Sequence, residues 1–482
     1  MISYDKLFIG GKRVAPLSSD LIEIRSPYNN ALVGSVPTAS KADVDAAVQI
    51  ARDSFDNGAW PLTSPVERQA VLARFIELYS ARAQEFAALI TKENGSPIAF
   101  GGVLAGMVVA QSNAYLQAAA AYPWEVRQPA IPQGEAVWRR EPLGVVAAVI
   151  PWNAPHQSAL VKLFPSLLAG CTVILKLAPE TALDGQVFGE LFAEAGLPEG
   201  VLSIFAADRE VSEYLVSHPG VDKVAFTGST AAGRRIASIG GAQLKRVSLE
   251  LGGKSAAIVL PDANQTAVIE GLPWSAFPNN GQSCVAHTRI LVQRDQHDAF
   301  VSALAEKIGS LKIGDPLDPE VFFGPQVSER QRERVASYIE LGIAEGATLA
   351  LGGTGLPEGG CTPESQKFPS AQLQSRHERI QVDELAVSLE GVMPVQQDVP
   401  PGRWRTHERT ALASASPEAL CAHLPLLENQ VSNVWSMGKD GRSYWPIKRQ
   451  AATADRIANH KGRNPQERAS LKKRLLRKWM SK

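Results

Sequence analysis

The sequence predicts an α/β protein built on a parallel sheet with helices on both faces, and three observations carry that prediction. From Gly144 onward, runs that are apolar throughout, GVVAAVI, CTVILK, VLSIFAA and VDKVAFTG, alternate with helical patterns. A strand with no polar face belongs in a sheet that is buried on both sides. The segments between these runs, SALVKLFPSLLAG, DGQVFGELFAEAG and EVSEYLVSH, read as crossover helices that return each strand parallel to the one before. Polar chemistry falls where the apolar runs end, and sheets of this kind bind ligands at the carboxyl ends of their strands.

The N-terminal region is organised differently. LFIGGKRV and EIRSPYNNALVGSVP alternate short strands with turn residues, and Ser40, three residues ahead of Asp43, marks a capped helix start before DAAVQIARDSF. Two long helical patterns follow, one opening at Pro65 and one, rich in alanine, ending near Tyr122. Both read as packing surfaces.

Composition bounds the function. At 482 residues the chain is too long for one simple core, so two or three domains are expected. Lysine plus arginine equals aspartate plus glutamate at 49 each, a balance with no drive toward nucleic acid or an anionic membrane surface. The four cysteines, Cys171, Cys284, Cys361 and Cys421, are too sparse for a disulfide framework or a paired-cysteine metal site, so no metal is expected. The opening MISYDKLFIGGKR lacks a basic leader with an apolar core, and no uninterrupted apolar run reaches the roughly 18 residues of a membrane span. These features predict a cytoplasmic protein with a small-molecule partner and with neither nucleic acid nor membrane.

Three strand ends form the first candidate site. GVVAAVI leads into Pro151, Trp152 and Asn153, CTVILK ends on Lys176, and VDKVAFTG opens into Gly228, Ser229 and then Gly233 at a helix start. Backbone N–H groups at a glycine-led helix start attract phosphate, and a lysine one strand away can bond to the ribose or phosphate of the same ligand. The same glycines also suit a tight turn and close helix packing. Neither the three-glycine dinucleotide fingerprint nor the phosphate-loop motif is present, so on the glycines alone both readings stay open.

A second candidate follows. KRVSLELGGKSAAIVL sets Glu250 before Gly252 and Gly253, and Cys284, within NNGQSCVAHTR, comes 34 residues after Glu250. A nucleophilic cysteine needs a base or a lowered pKa, donors for an oxyanion and open access to substrate. Glu250 offers the base, and Asn153 offers a side-chain donor. A lone cysteine is more often an inert, buried small hydrophobe, and His156 and His287 are two further groups able to pair with the thiol.

VIPWNAP, VILKLAPET, VDKVAFTGSTAAG, LELGGKSAAIVL and NNGQSCVAHTRI occur in this order, and together they resemble the NAD(P)-dependent aldehyde dehydrogenase superfamily over about residues 5 to 353. The resemblance implies a Rossmann-like cofactor domain over 1–120 and 141–250, oligomerisation strands over 121–140, and the first part of an α/β catalytic domain over 251–355. It implies Cys284 as the nucleophile that adds to an aldehyde, Asn153 and the Cys284 backbone N–H as oxyanion donors, and Glu250 as the base for water. Trp152, Lys176, Gly228, Ser229, Gly233 and Gly252 fall on the side of the cofactor, NAD or NADP. A homo-oligomer is implied as well, with a substrate funnel that includes Gln157, Leu160, Ser283 and Val285, and with His156 and Phe164 close by.

Two departures stand out. Where many members have a ribose-holding glutamate three residues after the lysine, this chain has Pro179, with Glu180 one step on. After about Gly360 the expected Glu-(Ile/Leu)-Phe-Gly-Pro and Gly-Gly-Phe/Tyr-Lys-x-Ser-Gly runs are absent, and Asp383, Glu384 and Leu385 are followed by no Phe-Gly-Pro. The tail from 356 to 482 admits three accounts. A shifted reading frame explains a sudden loss of pattern at preserved length; a divergent folded third and a basic tail around Arg468, Lys472, Lys473, Arg474, Arg477 and Lys478 are the others. The first account carries an alternative function, an inactive or unstable product of a damaged gene.

Overall fold

The computed structural model describes residues 2–130 and 133–353, together with the backbone of three short strands between 373 and 436. The expectations for Cys361, Cys421, Asp383 to Leu385 and the basic run ending at Lys478 lie outside the described residues. The chain divides into two compact units, one with the described residues up to Leu251 and Ile313–Glu329, the other with Gly252–Lys312 and the described residues from Arg330 on.

The first unit opens with β1 (Ile2–Ser3), β2 (Leu7–Ile9), β3 (Lys12–Val14), β4 (Leu21–Arg25) and β5 (Leu32–Pro37). Gly10 and Gly11, both at positive φ, turn β2 back onto β3. Helix α1 (Lys41–Asn57) begins where the sequence places it, with Ser40 and Asp43 in a capping box. Helix α2 (Pro65–Asn94) repeats the device with Ser64 and Glu67, and its C-terminus closes on Gly95 at φ 77°. Each capping residue stabilises its helix by ~1 kcal/mol. Helix α3 (Ile98–Ala120) packs along α2; by length and composition it is apolar enough to cross a membrane.

After a hairpin of β6 (Glu125–Pro129) and β7 (Glu135–Arg139), strands and helices alternate. They are β8 (Val145–Val149), α4 (Pro155–Leu168), β9 (Thr172–Leu177), α5 (Val187–Glu194), β10 (Leu202–Ala206), α6 (Arg209–Ser217), β11 (Lys223–Gly228), α7 (Thr230–Ala242) and β12 (Arg246–Leu251). The sheet order is β12-β11-β8-β9-β10-β2-β3, parallel from β12 to β10, with β2 antiparallel to β10. Alternate side chains feed two cores. Val146, Ala148, Val173 and Leu175 join Phe75 of α2 and Phe164 of α4 on one face; Val145, Ala147, Ile174 and Phe205 join Val44 of α1 and Leu215 of α6 on the other. Burial on both faces explains why these strands read as unbroken apolar runs. Within the first core, Phe75 stacks on Phe192 with ring centroids 4.1 Å apart, and each such fully buried side chain contributes roughly 1.5–3 kcal/mol.

The second unit carries β13 (Ala256–Ile258), α8 (Gln265–Ala276), β14 (Arg289–Val292), α9 (His297–Gly309), α10 (Glu329–Ala344), β15 (Thr348–Leu351), β16 (Leu373–Arg376), β17 (Val387–Glu390) and β18 (Val434–Ser436). Its sheet runs β15-β16-β17-β14-β13-β18, with β13 parallel to both neighbours. Three tail segments therefore supply strands where the sequence shows no strand logic. Segments of three or four residues hold too few positions for an alternating pattern to be seen.

Candidate active site

The first unit gathers its polar chemistry at the carboxyl ends of its parallel strands. Trp152 and Asn153 follow β8 and are buried. The Trp152 carbonyl accepts a hydrogen bond from Asn94 Nδ2 at 3.1 Å, and its ring packs with Ala178 and Val327. Lys176, the penultimate residue of β9, pairs in register with Val149 and Phe205 and so shares the face that carries α1 and α6. It is 8% exposed, and its ammonium has no hydrogen-bond or ion-pair acceptor among the described residues. Burial pushes that ammonium down to about 8, while Glu180 and Asp208 pull it back up. An orphaned buried cation is costly, and a polyol or phosphate ligand at the strand ends would satisfy it.

The glycines have a steric duty. A Cβ on Gly228 would come within 2.5 Å of the Phe226 ring, and one on Gly233 within 2.6 Å of Leu251 Cδ2. Ser229 is the N-cap of α7, its Oγ accepting from the Ala232 N–H at 3.2 Å. Packing and phosphate binding are compatible here, because Gly233 lets α7 seat against Leu251 of β12 while Gly228, close to the Phe226 ring, ends β11 just ahead of the α7 N-terminus. The set fits a dinucleotide: one unpaired ammonium and one helix N-terminus at neighbouring strand ends.

Glu250 is the penultimate residue of β12, in register with Thr227 of β11. Because β12 is the edge strand, its side chains alternate: Leu249 and Leu251 pack on the second core while Glu250 is exposed. Lys162 of α4 donates a hydrogen bond to Thr227 Oγ1. Burial, and then the Glu250 carboxylate, push the Tyr115 phenol up. No sequence motif marks Lys162 or Tyr115. Lys162 was visible only as a single charge inside an otherwise apolar helix pattern.

His156 is a correction. It is 2% exposed, its Nδ1 paired with the Tyr79 hydroxyl at 3.0 Å and its Nε2 with the Asp184 carbonyl at 3.2 Å, against the Phe188 ring. Burial lowers it to about 4, so it is a neutral core group. Leu160 and Phe164, expected near a funnel, are fully buried in the first core, whereas Gln157 is half-buried. The pattern of α4 explains this: its buried positions repeat at helical spacing, and His156, Leu160 and Phe164 belong to that face.

In the second unit, Cys284 is half-buried and uncrosslinked, neither sealed in the core nor fully exposed. The turn before it is unusual. Asn279, Asn280 and Gly281 have φ of 55°, 58° and 74°, three consecutive left-handed residues. Asparagine and glycine tolerate that region best, which accounts for the NNG of the motif. The Gln282 N–H donates to the Asn279 carbonyl at 2.9 Å and closes the turn, so the chain then presents Ser283, Cys284 and the exposed Val285. Gly253 lies alongside: a Cβ there would be 3.5 Å from the Cys284 carbonyl oxygen. The His287 N–H donates to the Ser275 carbonyl, its ring is buried, and burial pushes the imidazole down. Among the described residues no cluster of His, Cys, Asp and Glu is placed to hold a metal.

Comparison with known proteins decides the family, because the model of the aldehyde dehydrogenase family matches residues 14–365. The chain belongs to the aldehyde dehydrogenase family. Its parallel-sheet α/β fold is that of solved aldehyde dehydrogenases, and it is an NAD(P)-dependent enzyme of that family. Geranial dehydrogenase of Castellaniella defragrans is 40% identical over 382 residues, 79% of this chain and 80% of that one. The aldehyde dehydrogenase of Mycobacterium tuberculosis, solved with NAD+, superposes with a TM-score of 0.77 at 37% identity, covering 90% of this chain and 89% of the other. A variant of aldehyde dehydrogenase C from Pseudomonas syringae, solved with NAD+ and octanal, gives a TM-score of 0.73 at 33% identity, covering 82% and 79%.

Proposed function

We propose that the chain oxidises an apolar aldehyde to the carboxylic acid through a covalent intermediate on Cys284. The Cys284 thiolate adds to the aldehyde carbon to give a thiohemiacetal, and its oxyanion takes hydrogen bonds from the Asn153 side chain and the Cys284 backbone N–H. NAD(P)+, when bound, accepts the hydride. Glu250 then takes a proton from water, which hydrolyses the thioester and frees the thiol. Lys176, with the N-terminus of α7 capped by Ser229, binds the cofactor and orients it; Trp152, Gly228, Gly233 and Gly252 shape the walls.

The single observation behind this reading is the left-handed Asn279–Asn280–Gly281 turn, which carries a half-buried thiol. An inert core cysteine needs no such turn, whereas a nucleophile needs to be lifted out of the packing. The relatives named for geranial and octanal support an aliphatic or terpenoid aldehyde. Charge balance and sparse cysteines support a cytoplasmic setting, and the exposed Val137 and Trp138 of the β6–β7 hairpin support a homo-oligomer.

A second reading keeps the cofactor site without turnover. It is favoured by one observation: the family match stops at residue 365 of a 482-residue chain. Purified full-length protein, assayed with NAD+ and NADP+ across linear, aromatic and terpenoid aldehydes, separates the two. Aldehyde-dependent cofactor reduction that disappears in Cys284→Ala supports the first reading; cofactor binding with no reduction for any aldehyde supports the second.

A further inference from the structure

At the amino end of the parallel strands, away from Lys176 and Ser229, a groove of about 370 Å³ is lined by Leu143, Lys223, Arg246, Val247 and Ser248. Register fixes its floor. Lys223 opens β11 and pairs with Val146 of β8 on one side and with Arg246 of β12 on the other. Residues paired across a parallel sheet share a face, so both cations lie on the face where Val146 joins the core of α2 and α4. On β12 that face is open: Arg246, Ser248 and Glu250 are exposed, while Val247 packs on the other core. Neither the Lys223 ammonium nor the Arg246 guanidinium has a hydrogen-bond or ion-pair acceptor among the described residues. Asp222, next to Lys223 in the chain, is taken up by Arg52 and by the Val145 N–H. Leu143, 44% exposed, adds an apolar wall.

We propose that this groove binds an apolar carboxylate, the class of product released by the oxidation assigned above, on which the choice of ligand rests. A guanidinium takes both oxygens of a carboxylate in a fork, and a lysine in the neighbouring register position adds a second charge-assisted bond. The Ser248 hydroxyl is a further donor on the same face. Leu143 covers part of the alkyl chain and removes it from water. Inorganic phosphate meets the two cations but gains nothing from Leu143, and an alcohol of equal chain length meets Leu143 without answering either charge. Arg246 lies four residues before Glu250 on the same strand face, about 13 Å away along β12. The carboxylate head is therefore held apart from the base.

The test is calorimetric titration of the full-length protein with octanoate, octan-1-ol and inorganic phosphate, without aldehyde or cofactor. Octanoate is expected to bind at least roughly tenfold more tightly than either of the others, and to weaken near 1 M salt, where the screening length is about 3 Å. The double variant Lys223→Gln, Arg246→Gln is expected to lose at least roughly tenfold in octanoate affinity while its urea unfolding midpoint and NAD+ affinity stay native. Cys284→Ala is expected to bind octanoate as the native chain does. Unchanged octanoate binding in the double variant, or octan-1-ol or phosphate binding as tightly as octanoate, overturns the proposal. No octanoate binding beside intact aldehyde oxidation overturns the groove alone. Octanoate bound in the groove of a chain that oxidises no aldehyde overturns instead the reaction assigned above, and with it the claim that the ligand is a product.

Discussion

Thr227 and Glu250 stand in register at the carboxyl ends of β11 and β12, and Thr227 Oγ1 is held by Lys162 of α4. The carboxylate proposed as the base therefore sits on a strand end whose neighbour is pinned from the helix layer. This predicts a defined defect for Glu250→Gln, which keeps shape and removes the base. Steady-state turnover should fall ~10²–10⁴-fold, while a first burst of reduced cofactor on rapid mixing persists. Loss of the burst with unchanged cofactor affinity would place Glu250 before hydride transfer instead.

Gly233 should resist enlargement. Its missing Cβ leaves room for Leu251, the residue that follows Glu250. Gly233→Val should destabilise the first unit by about 1–3 kcal/mol through overpacking and weaken dinucleotide binding, measured by urea unfolding and by titration. Gly233→Ala should cost less, since the obstructing atom is the end of a flexible side chain.

The turn before the thiol yields a third prediction. Asn280 is fully buried with φ of 58°. Asn280→Gly should keep the turn, whereas Asn280→Val should cost at least about 1–2 kcal/mol in backbone strain and slow alkylation of Cys284 by iodoacetamide. Equal alkylation rates in the two variants would separate the turn from the reactivity of the thiol.

A buried acid pair predicts the pH dependence of stability. Glu93 accepts from the backbone N–H groups of Leu183 and Asp184 at 2.8 and 2.9 Å, and both carboxyl oxygens of Asp184 are buried. Burial pushes Glu93 up to about 8 and Asp184 well above its usual range, with Glu93 adding to the rise at Asp184. The folded chain thus holds protons that the unfolded chain has released, so their stabilisation is complete below about pH 4 and declines as pH rises toward about 8. His156 acts oppositely: held down to about 4, it lowers stability as pH falls below its ordinary value of 6.5. Thermal unfolding should show a falling midpoint from about pH 6.5 to about pH 8, flattened in Asp184→Asn. An equally steep fall in that variant would assign it elsewhere.

Much of the first unit was legible because its physics is local. Continuous apolar runs gave β8 to β11, and Ser40 with Asp43 gave the start of α1. Strand ends led to Lys176 and Ser229 by the same logic. The role of His156 was not legible, because a histidine two residues after Trp-Asn-Ala looks alike whether it faces a ligand or, as here, Tyr79 and Phe188. The pairing of Lys223 with Arg246 was hidden too: it comes from strand register, which no local pattern encodes. The Asn279 and Asn280 pair was visible as a motif, but its reason, two left-handed residues in a row, belongs to backbone geometry.

The account rests on a covalent acyl intermediate at Cys284 that Glu250 helps to hydrolyse. Intact and peptide mass spectrometry of Glu250→Gln, quenched after mixing with octanal and NAD+, tests that most directly. The account predicts one octanoyl group per chain, on the peptide that contains Cys284 and absent in the Cys284→Ala, Glu250→Gln double variant. Aldehyde oxidation by the native chain with no acyl adduct on that peptide, or with the adduct on another residue, would contradict it.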